Sequence, residues 1–220
     1  MRGLRGLAQL QQLLQSIHGV QAAPVGDFLV GRAFRDRHAP LSSPHEALLL
    51  RENGEELHVA LFLDETVLQQ LGRPAHRPWT HERLQAFCAA TEGVSHFLYL
   101  AHRAGQGGQV SQLELEAQGE IDKYLAVLMQ LWATGRRGAS RELRRRLFEQ
   151  SVLRPGLSAP ERERYRLASA LAAACARAWE SRYVRPGRLD ALLRDARRLY
   201  RLAGGEKFSA LAQGAVAWAA

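Results

Sequence analysis

Apolar and polar positions follow a mixed pattern before residue 105 and a helical one after it. The strongest local signal is a pair of apolar segments, residues 47–52 and 56–63, on either side of Asn53-Gly54. Asn-Gly supplies the two positive-φ positions of a type I′ turn, so the pattern predicts a β-hairpin. The second segment is apolar on both faces near residues 60–63, which predicts that both faces of that strand are covered.

The elements around the hairpin are predicted from weaker signals. We expect a helix ending at Gly19, a short strand at 27–30, a helix at 65–71 capped by Asp64, and a helix at 80–91. Gly93 is placed at a left-handed C-cap, so residues 94–102 are predicted to form a further strand, in which Phe97 and Tyr99 suit a sheet. Continuation of the helix through these residues is the alternative.

The second half of the chain is predicted to be all helix. Ser111 and Glu114 have the spacing of a capping box, which opens a helix to about Trp132. Further helices are expected at 141–150 with Ser140 as cap, from Pro160 to about 183, at 188–202 before Gly204-Gly205, and at 208–218. The predicted fold class is therefore α+β, a small sheet with flanking helices followed by an Arg-rich helical bundle. The predicted domains are 1–104 and 109–220, and a core shared between them is left open.

Charge is divided unevenly along the chain. Residues 136–201 contain 18 arginines against 7 acidic residues, whereas residues 1–135 carry a net charge of −3. The chain as a whole has 28 arginines and only 2 lysines, a bias typical of GC-rich coding, so overall basicity says less than the placement of the charge. The division predicts an anionic partner for the C-terminal half.

Two groups of arginines are the predicted partner-binding residues. In the helix at 188–202, apolar residues form one face and arginines the opposite face, and a second group lies in the helix at 141–150. Guanidinium groups bind phosphate and carboxylate in a bidentate manner, so such a face suits a nucleic-acid backbone or an acidic protein. A solvated face with local acidic partners is the alternative interpretation. The predicted residues are Arg141, Arg144, Arg145, Arg146, Arg194, Arg197, Arg198 and Arg201.

A group of carboxylates and imidazoles is the second candidate site. On a helical projection Glu120 falls at the edge of the apolar arc, and Glu116 lies one turn before it. If residues 94–102 form a strand, His96 and His102 lie on one side of it and, with Glu92 nearby, could complete a divalent-metal or acid/base site. The alternative is a structural pair in which the glutamate meets an arginine or a histidine, because a buried carboxylate needs a partner. No metal-specific spacing such as HExxH is present.

Several function classes have no support in the sequence. Nothing resembles a GxSxG nucleophile or a P-loop, and Cys88 and Cys175 belong to no CxxC spacing. No apolar segment approaches the roughly 20 residues of a membrane helix. We therefore expect a cytoplasmic protein with free thiols, no cofactor and no membrane association, and leave a homo-oligomer open.

The leading hypothesis is a non-enzymatic binding or assembly module that contacts an acidic protein or a nucleic acid through its Arg-rich helices. The alternative hypothesis is a metal-dependent or acid/base enzyme that uses Glu116, Glu120, His96 and His102.

Overall fold

A computed structural model describes residues 2–40, 43–54, 56–73, 79–150, 153 and 155–214. The chain divides into two compact units. Unit 1 comprises Met1–Ser16 and Val20–Gln106, and unit 2 comprises Ile17–Gly19 and Gly107–Ala220. Unit 1 contains a small mixed sheet with helices and unit 2 is helical, which confirms the predicted α+β class with a helical bundle.

The helices and strands of unit 1 follow one another in a mixed order. They are α1 (Arg2–His18, whose last two residues belong to unit 2), β1 (Leu29–Val30), α2 (Arg32–His38), β2 (Glu46–Asn53), β3 (Glu56–Leu63), α3 (Glu65–Leu71) and α4 (His81–Ala104).

The sheet of unit 1 has the strand order β1-β3-β2. β3 lies in the centre, parallel to β1 and antiparallel to β2, and Leu61, Phe62 and Leu63 are all buried, as the apolar segment predicted. The hairpin is confirmed, but its turn lies one residue later than predicted. Asn53 pairs with Glu56 as a strand residue, so Gly54, with φ +63°, takes the first central position.

Residues 94–102 form the second half of α4, so the predicted third strand is wrong. Gly93 lies within this helix and not at its end. A Cβ at this position would lie 2.8 Å from Cδ1 of Leu61, which shows that the glycine permits close packing of α4 on the sheet. The helix therefore needs a small residue here for tertiary reasons that its own sequence pattern does not reveal.

Asp64 caps α3, as predicted. Its carboxylate accepts hydrogen bonds from the backbone N–H of Thr66 at 3.0 Å and from the Thr66 hydroxyl at 2.7 Å, and it also pairs with Arg32. The Thr66 hydroxyl is the main cause that lowers the pKa of Asp64 below its ordinary value of 3.8; burial opposes the shift and the Arg32 guanidinium supports it.

Besides Ile17–Gly19, unit 2 consists of helices from the second half of the chain. They are α5 (Gln112–Ala133), α6 (Ser140–Arg144, continued by a π-helical turn at Arg145–Glu149), α7 (Ala159–Trp179, continued by a π-helical turn at Glu180–Val184), α8 (Leu189–Arg201) and α9 (Gly204–Gln213).

The helix ends in unit 2 follow the sequence signals in part. Ser111 and Glu114 form the predicted capping box of α5. Ser158 and Glu161 form a second capping box at α7, one that the emphasis on Pro160 missed. Ser140 is the first residue of α6 and makes no capping bond, and Gly204, with φ +50°, begins α9. The predicted end of the last helix, residues 215–218, lies outside the described residues. No helix in the described part of the chain combines the length and apolar character that a membrane span requires.

Candidate functional site

Unit 2 buries four of its acidic side chains, Glu114, Asp122, Glu180 and Asp195. Burial of a carboxylate is costly unless hydrogen-bond donors or cations surround it. Each of the four accepts hydrogen bonds from donors within unit 2. These four carboxylates therefore have hydrogen-bond partners inside the helical bundle of unit 2.

Four buried polar side chains form a continuous hydrogen-bonded chain, called here the buried chain: His18, Asp122, Gln118 and Lys207. His18 Nε2 lies 2.7 Å from Asp122 Oδ1, Gln118 Nε2 donates to the same oxygen at 2.8 Å, and Lys207 Nζ donates to Gln118 Oε1 at 2.7 Å. The side chains are between 0% and 1% exposed. His18 also stacks on the ring of Tyr200, with centroids 4.0 Å apart.

The amide of Gln118 is oriented by the charges at its two ends. Its carbonyl oxygen faces the ammonium of Lys207, and its N–H faces the carboxylate of Asp122. A carboxylate accepts hydrogen bonds, so His18 donates to Asp122 through Nε2. The chain thus places a buried cation and a buried anion at opposite ends of one amide dipole, which reduces the cost of burying both.

Glu114 links the start of α5 to the start of α9. Its carboxylate accepts hydrogen bonds from the backbone and hydroxyl of Ser111 at 3.0 and 2.9 Å and from the backbone N–H of Gly204 at 2.9 Å. Burial raises the pKa of Glu114, but these hydrogen bonds and the nearby Lys207 ammonium outweigh it, so the pKa lies below its ordinary value of 4.5.

Glu180 and Asp195 accept hydrogen bonds from side chains of α6 and α7. Glu180 Oε2 accepts a hydrogen bond from Arg144 Nε at 3.0 Å, and Asp195 Oδ2 accepts one from the indole of Trp179 at 2.8 Å. Burial, reinforced by the negative charge of Glu180, raises the pKa of the buried Tyr124 hydroxyl well above its ordinary value. These contacts belong to the packing of the bundle.

Most of the described arginines of unit 2 are exposed, whereas four of its acidic side chains are buried. Thirteen of the arginines are exposed among the described residues, against five exposed acids, so the ratio of arginine to acid is higher at the surface than in the composition of the unit. The exposed arginines are Arg136, Arg137, Arg141, Arg145, Arg162, Arg166, Arg177, Arg182, Arg185, Arg188, Arg194, Arg198 and Arg201. The exposed acids are Glu142, Glu149, Glu163, Asp190 and Glu206.

The predicted arginines near α6 differ in their surroundings. Arg144 is half-buried and bonded to Glu180. Arg145 is exposed and forms a bidentate pair with Glu142, at 2.9 and 3.0 Å. Arg141 is exposed and Arg146 is half-buried. Arg144 and Arg145 are therefore engaged with carboxylates of the same unit.

The predicted arginines of α8 divide into an anchor and a stripe. Arg197 is half-buried and donates from Nε to the carbonyl of Ile17 at 3.0 Å, within unit 2. Arg194, Arg198 and Arg201 are exposed and, at 100° per residue, lie within about 60° of one another on the helix surface. These three residues are called here the α8 stripe, and they are the part of the predicted set that solvent and a partner can reach together.

The helical geometry of α4 changes the predicted relation of His96 and His102. The two residues are six apart on one helix, which places them about 120° apart around its axis. His96 is buried and His102 is half-buried. The strand geometry that put both imidazoles on one side does not apply, whereas Glu92 and His96, four apart, share a face of α4.

Glu116 and Glu120 lie one turn apart on α5 in unit 2. Glu120 forms an ion pair of 2.8 Å with Lys123 one turn later on the same helix, and Glu116 Oε1 lies 3.9 Å from Nε of Arg164. The partner of Glu120 is thus a lysine rather than the predicted arginine or histidine. Both carboxylates have cationic neighbours within the bundle.

Sequence reasoning missed the buried chain. A helical projection gives α5 one apolar face that excludes Gln118 and Asp122, whereas residues 124–128 are all buried and this part of the helix is enclosed on every side. The continuous apolar run from Leu125 to Leu128 was the available signal. His18 and Lys207 are distant in sequence and carry no signal of their own.

No protein-family model, curated protein or solved structure matches the chain. Functional inference therefore depends on the geometry of the two units.

Proposed function

We propose that the protein is a non-enzymatic binding module that contacts an anionic partner through the arginine-rich surface of unit 2. The observation that supports this proposal is the separation of charge: acids such as Glu114, Asp122, Glu180 and Asp195 are buried, while thirteen arginines are exposed. The α8 stripe is the element of this surface that presents several guanidinium groups along one line.

The physical basis of the proposal is the range and the geometry of guanidinium interactions. A surface with a large excess of one charge creates a field that concentrates counter-ions and accelerates association with oppositely charged molecules. An accessible guanidinium group can then form a bidentate hydrogen bond with a phosphate or carboxylate group. Because exposed charges are screened by salt, such binding weakens as ionic strength rises.

The test compares two triple variants on a heparin column. Reversing the α8 stripe (Arg194→Glu, Arg198→Glu, Arg201→Glu) is expected to lower the salt concentration at which the protein elutes. The matched control reverses three exposed arginines of unit 1, Arg5, Arg37 and Arg51, and is expected to elute later than the stripe variant. Equal elution of the two variants would contradict the proposal, because net charge and not the basic surface of unit 2 would then govern binding.

A metal-dependent or acid/base enzyme is the second candidate function. Glu92 and His96 share a face of α4, and a carboxylate and an imidazole in that arrangement can supply two ligands to a divalent ion. The test is calorimetric titration of Zn²⁺ or Mn²⁺ into the wild type, the His96→Ala variant and the His102→Ala variant. Binding that His96→Ala abolishes and His102→Ala preserves would support this candidate, and no binding to the wild type would remove its metal-dependent form.

A further inference from the structure

We infer that the anionic partner of unit 2 is the phosphate backbone of a nucleic acid, bound without recognition of base sequence. The inference rests on the proposed function and names the partner of the same surface. Three observations support the inference. Large exposed apolar side chains are few, the accessible cations are guanidinium groups, and α8 carries few uncharged polar side chains beside its stripe.

Within the part of unit 2 that the structure describes, few large apolar side chains are exposed to a protein partner. Among its described residues, Leu167 is the large hydrophobic side chain with the greatest exposure, at 44%. Stable protein interfaces are centred on buried aromatic and aliphatic side chains, within a polar rim. Protein–nucleic acid interfaces are more polar and far more positively charged, which is the character of this surface.

The accessible cations of unit 2 are guanidinium groups. Its two lysines are engaged inside the bundle, Lys123 with Glu120 and Lys207 with Gln118. Arginine presents a planar fork of donors that matches two oxygens of a phosphate and is more weakly hydrated than an ammonium group. A surface in which arginine takes the exposed positions therefore suits contacts with a phosphate backbone.

The α8 helix offers phosphate contacts, and its side chains able to contact a base edge are arginines and aspartates. Its sequence contains no Asn, Gln, Ser or Thr, the uncharged side chains that discriminate base edges. The stripe from Arg194 to Arg201 extends about 10 Å along the helix axis, at 1.5 Å per residue. Duplex DNA advances about 3.4 Å per phosphate on each strand, so this length corresponds to about three phosphates.

Two half-buried aromatic side chains of unit 2 each lie beneath an arginine. Guanidinium carbons lie over the rings of Trp132 and Tyr165, at 5.2 and 5.7 Å from the centroids. Single-strand binders use open aromatic rings on which successive bases stack. With one face of each of these two rings covered, we expect affinity to follow charge density, so that duplex binds more tightly than single strands.

The experiment measures fluorescence anisotropy of the full chain with labelled nucleic acid across a salt series. The probes are two 24-base-pair duplexes of unrelated sequence, one 24-nucleotide single strand and poly-glutamate. We expect the two duplexes to bind within twofold of each other. The neutralised stripe (Arg194→Gln, Arg198→Gln, Arg201→Gln) should reduce the slope of log K against log salt by about 2–3, at about 0.9 for each phosphate contact. The control variant (Arg5→Gln, Arg37→Gln, Arg51→Gln) should leave it unchanged, and circular dichroism verifies the fold of both.

The outcomes separate this inference from the proposed function. Binding to poly-glutamate without binding to either duplex would overturn the nucleic-acid inference and leave the binding-module proposal intact. Binding to none of the probes at low salt would overturn both. A preference of more than tenfold between the duplexes would overturn binding to the backbone alone. An unchanged slope in the stripe variant would overturn the assignment to α8.

Discussion

The ammonium group of Lys207 lies 2.7 Å from the side-chain oxygen of Gln118 in the interior of unit 2. The two residues are 89 positions apart in sequence, and Lys207 is fully buried. Gln118 in turn donates to Asp122, so the lysine and the aspartate interact through the glutamine. Within this unit, α5 and α9 are thus joined by a buried polar linkage.

Replacing Gln118 with Leu is expected to destabilise the protein by about 3–5 kcal/mol. The substitution keeps most of the side-chain volume but removes the 2.7 Å acceptor of the Lys207 ammonium and one donor to Asp122, and loss of a short hydrogen bond to each of two buried charges carries a penalty of this size. Urea unfolding monitored by circular dichroism measures the change. Gln112→Leu, at an exposed position of the same helix, should change the free energy of unfolding by less than about 0.5 kcal/mol.

Glu114 should make the stability depend on pH in the acid range. Its folded pKa lies below 4.5, so its contribution is complete above that value and is lost as pH falls through the lower, folded pKa. Glu114→Gln should therefore cost about 1–2 kcal/mol at pH 7, the usual value of a capping interaction, and much less near pH 2. Unfolding in urea at both pH values tests this, and a difference that is the same at both would contradict it.

Gly6 should resist substitution because α1 passes very close to α3. A Cβ at Gly6 would lie 2.4 Å from the carbonyl oxygen of Leu71, so Gly6→Ala must separate the two helices. We expect a loss of about 1–3 kcal/mol, the range for overpacking. Gly205→Ala in α9 is the matched variant, since no atom lies within 4 Å of the added Cβ, and it should be neutral or stabilising by up to about 1 kcal/mol in thermal unfolding.

Arg197 and Arg194 should differ in their effect on stability although both are arginines of α8. Arg197→Ala removes a charge-assisted hydrogen bond to the carbonyl of Ile17 and is expected to cost about 1–2 kcal/mol. Arg194→Ala changes an exposed side chain and should remain within about 0.5 kcal/mol of the wild type. Differential scanning fluorimetry ranks the two, and equal shifts in Tm would show that Arg197 is not an anchor.

Cys175 should be unreactive in the folded protein. Burial, together with the negative charge of Asp195, raises the pKa of its thiol well above 9.0, so the reactive thiolate is scarce, and the side chain is 1% exposed. In a Cys88→Ala background we expect no reaction with Ellman's reagent until urea unfolds the chain. Rapid labelling under native conditions would contradict the burial of this thiol.

Local signals in the sequence were enough to predict many individual elements. The hairpin, the capping box of Ser111 and Glu114, and the cap at Asp64 each depend on residues close together in the chain, so their spacing is sufficient evidence. The error at residues 94–102 has a different origin. Gly93 serves the packing of α4 against Leu61, and a single sequence does not distinguish a glycine at a helix end from one at a close contact.

The sequence predicts where the arginines of the candidate site cluster in the chain, but not which of them are exposed in the fold. The two arginine clusters are visible in the sequence, but their division into Arg197 as an anchor and Arg194, Arg198 and Arg201 as an exposed stripe depends on a carbonyl 180 residues away. The buried chain also depends on contacts between residues distant in sequence, since His18 and Asp122 are 104 residues apart. Long-range polar pairs leave no periodic pattern, which is why hydrophobic periodicity did not reveal them.

The discontinuity of unit 2 affects how the chain can be divided. Ile17–Gly19 belong to this unit, although they lie almost ninety residues before the rest of it. A fragment that starts at Gly107 would lack the imidazole that binds Asp122 and the carbonyl that binds Arg197. Such a fragment should unfold at lower urea concentration than the same bundle within the full chain, whereas a fusion that joins residues 17–19 to Gly107 would retain both groups.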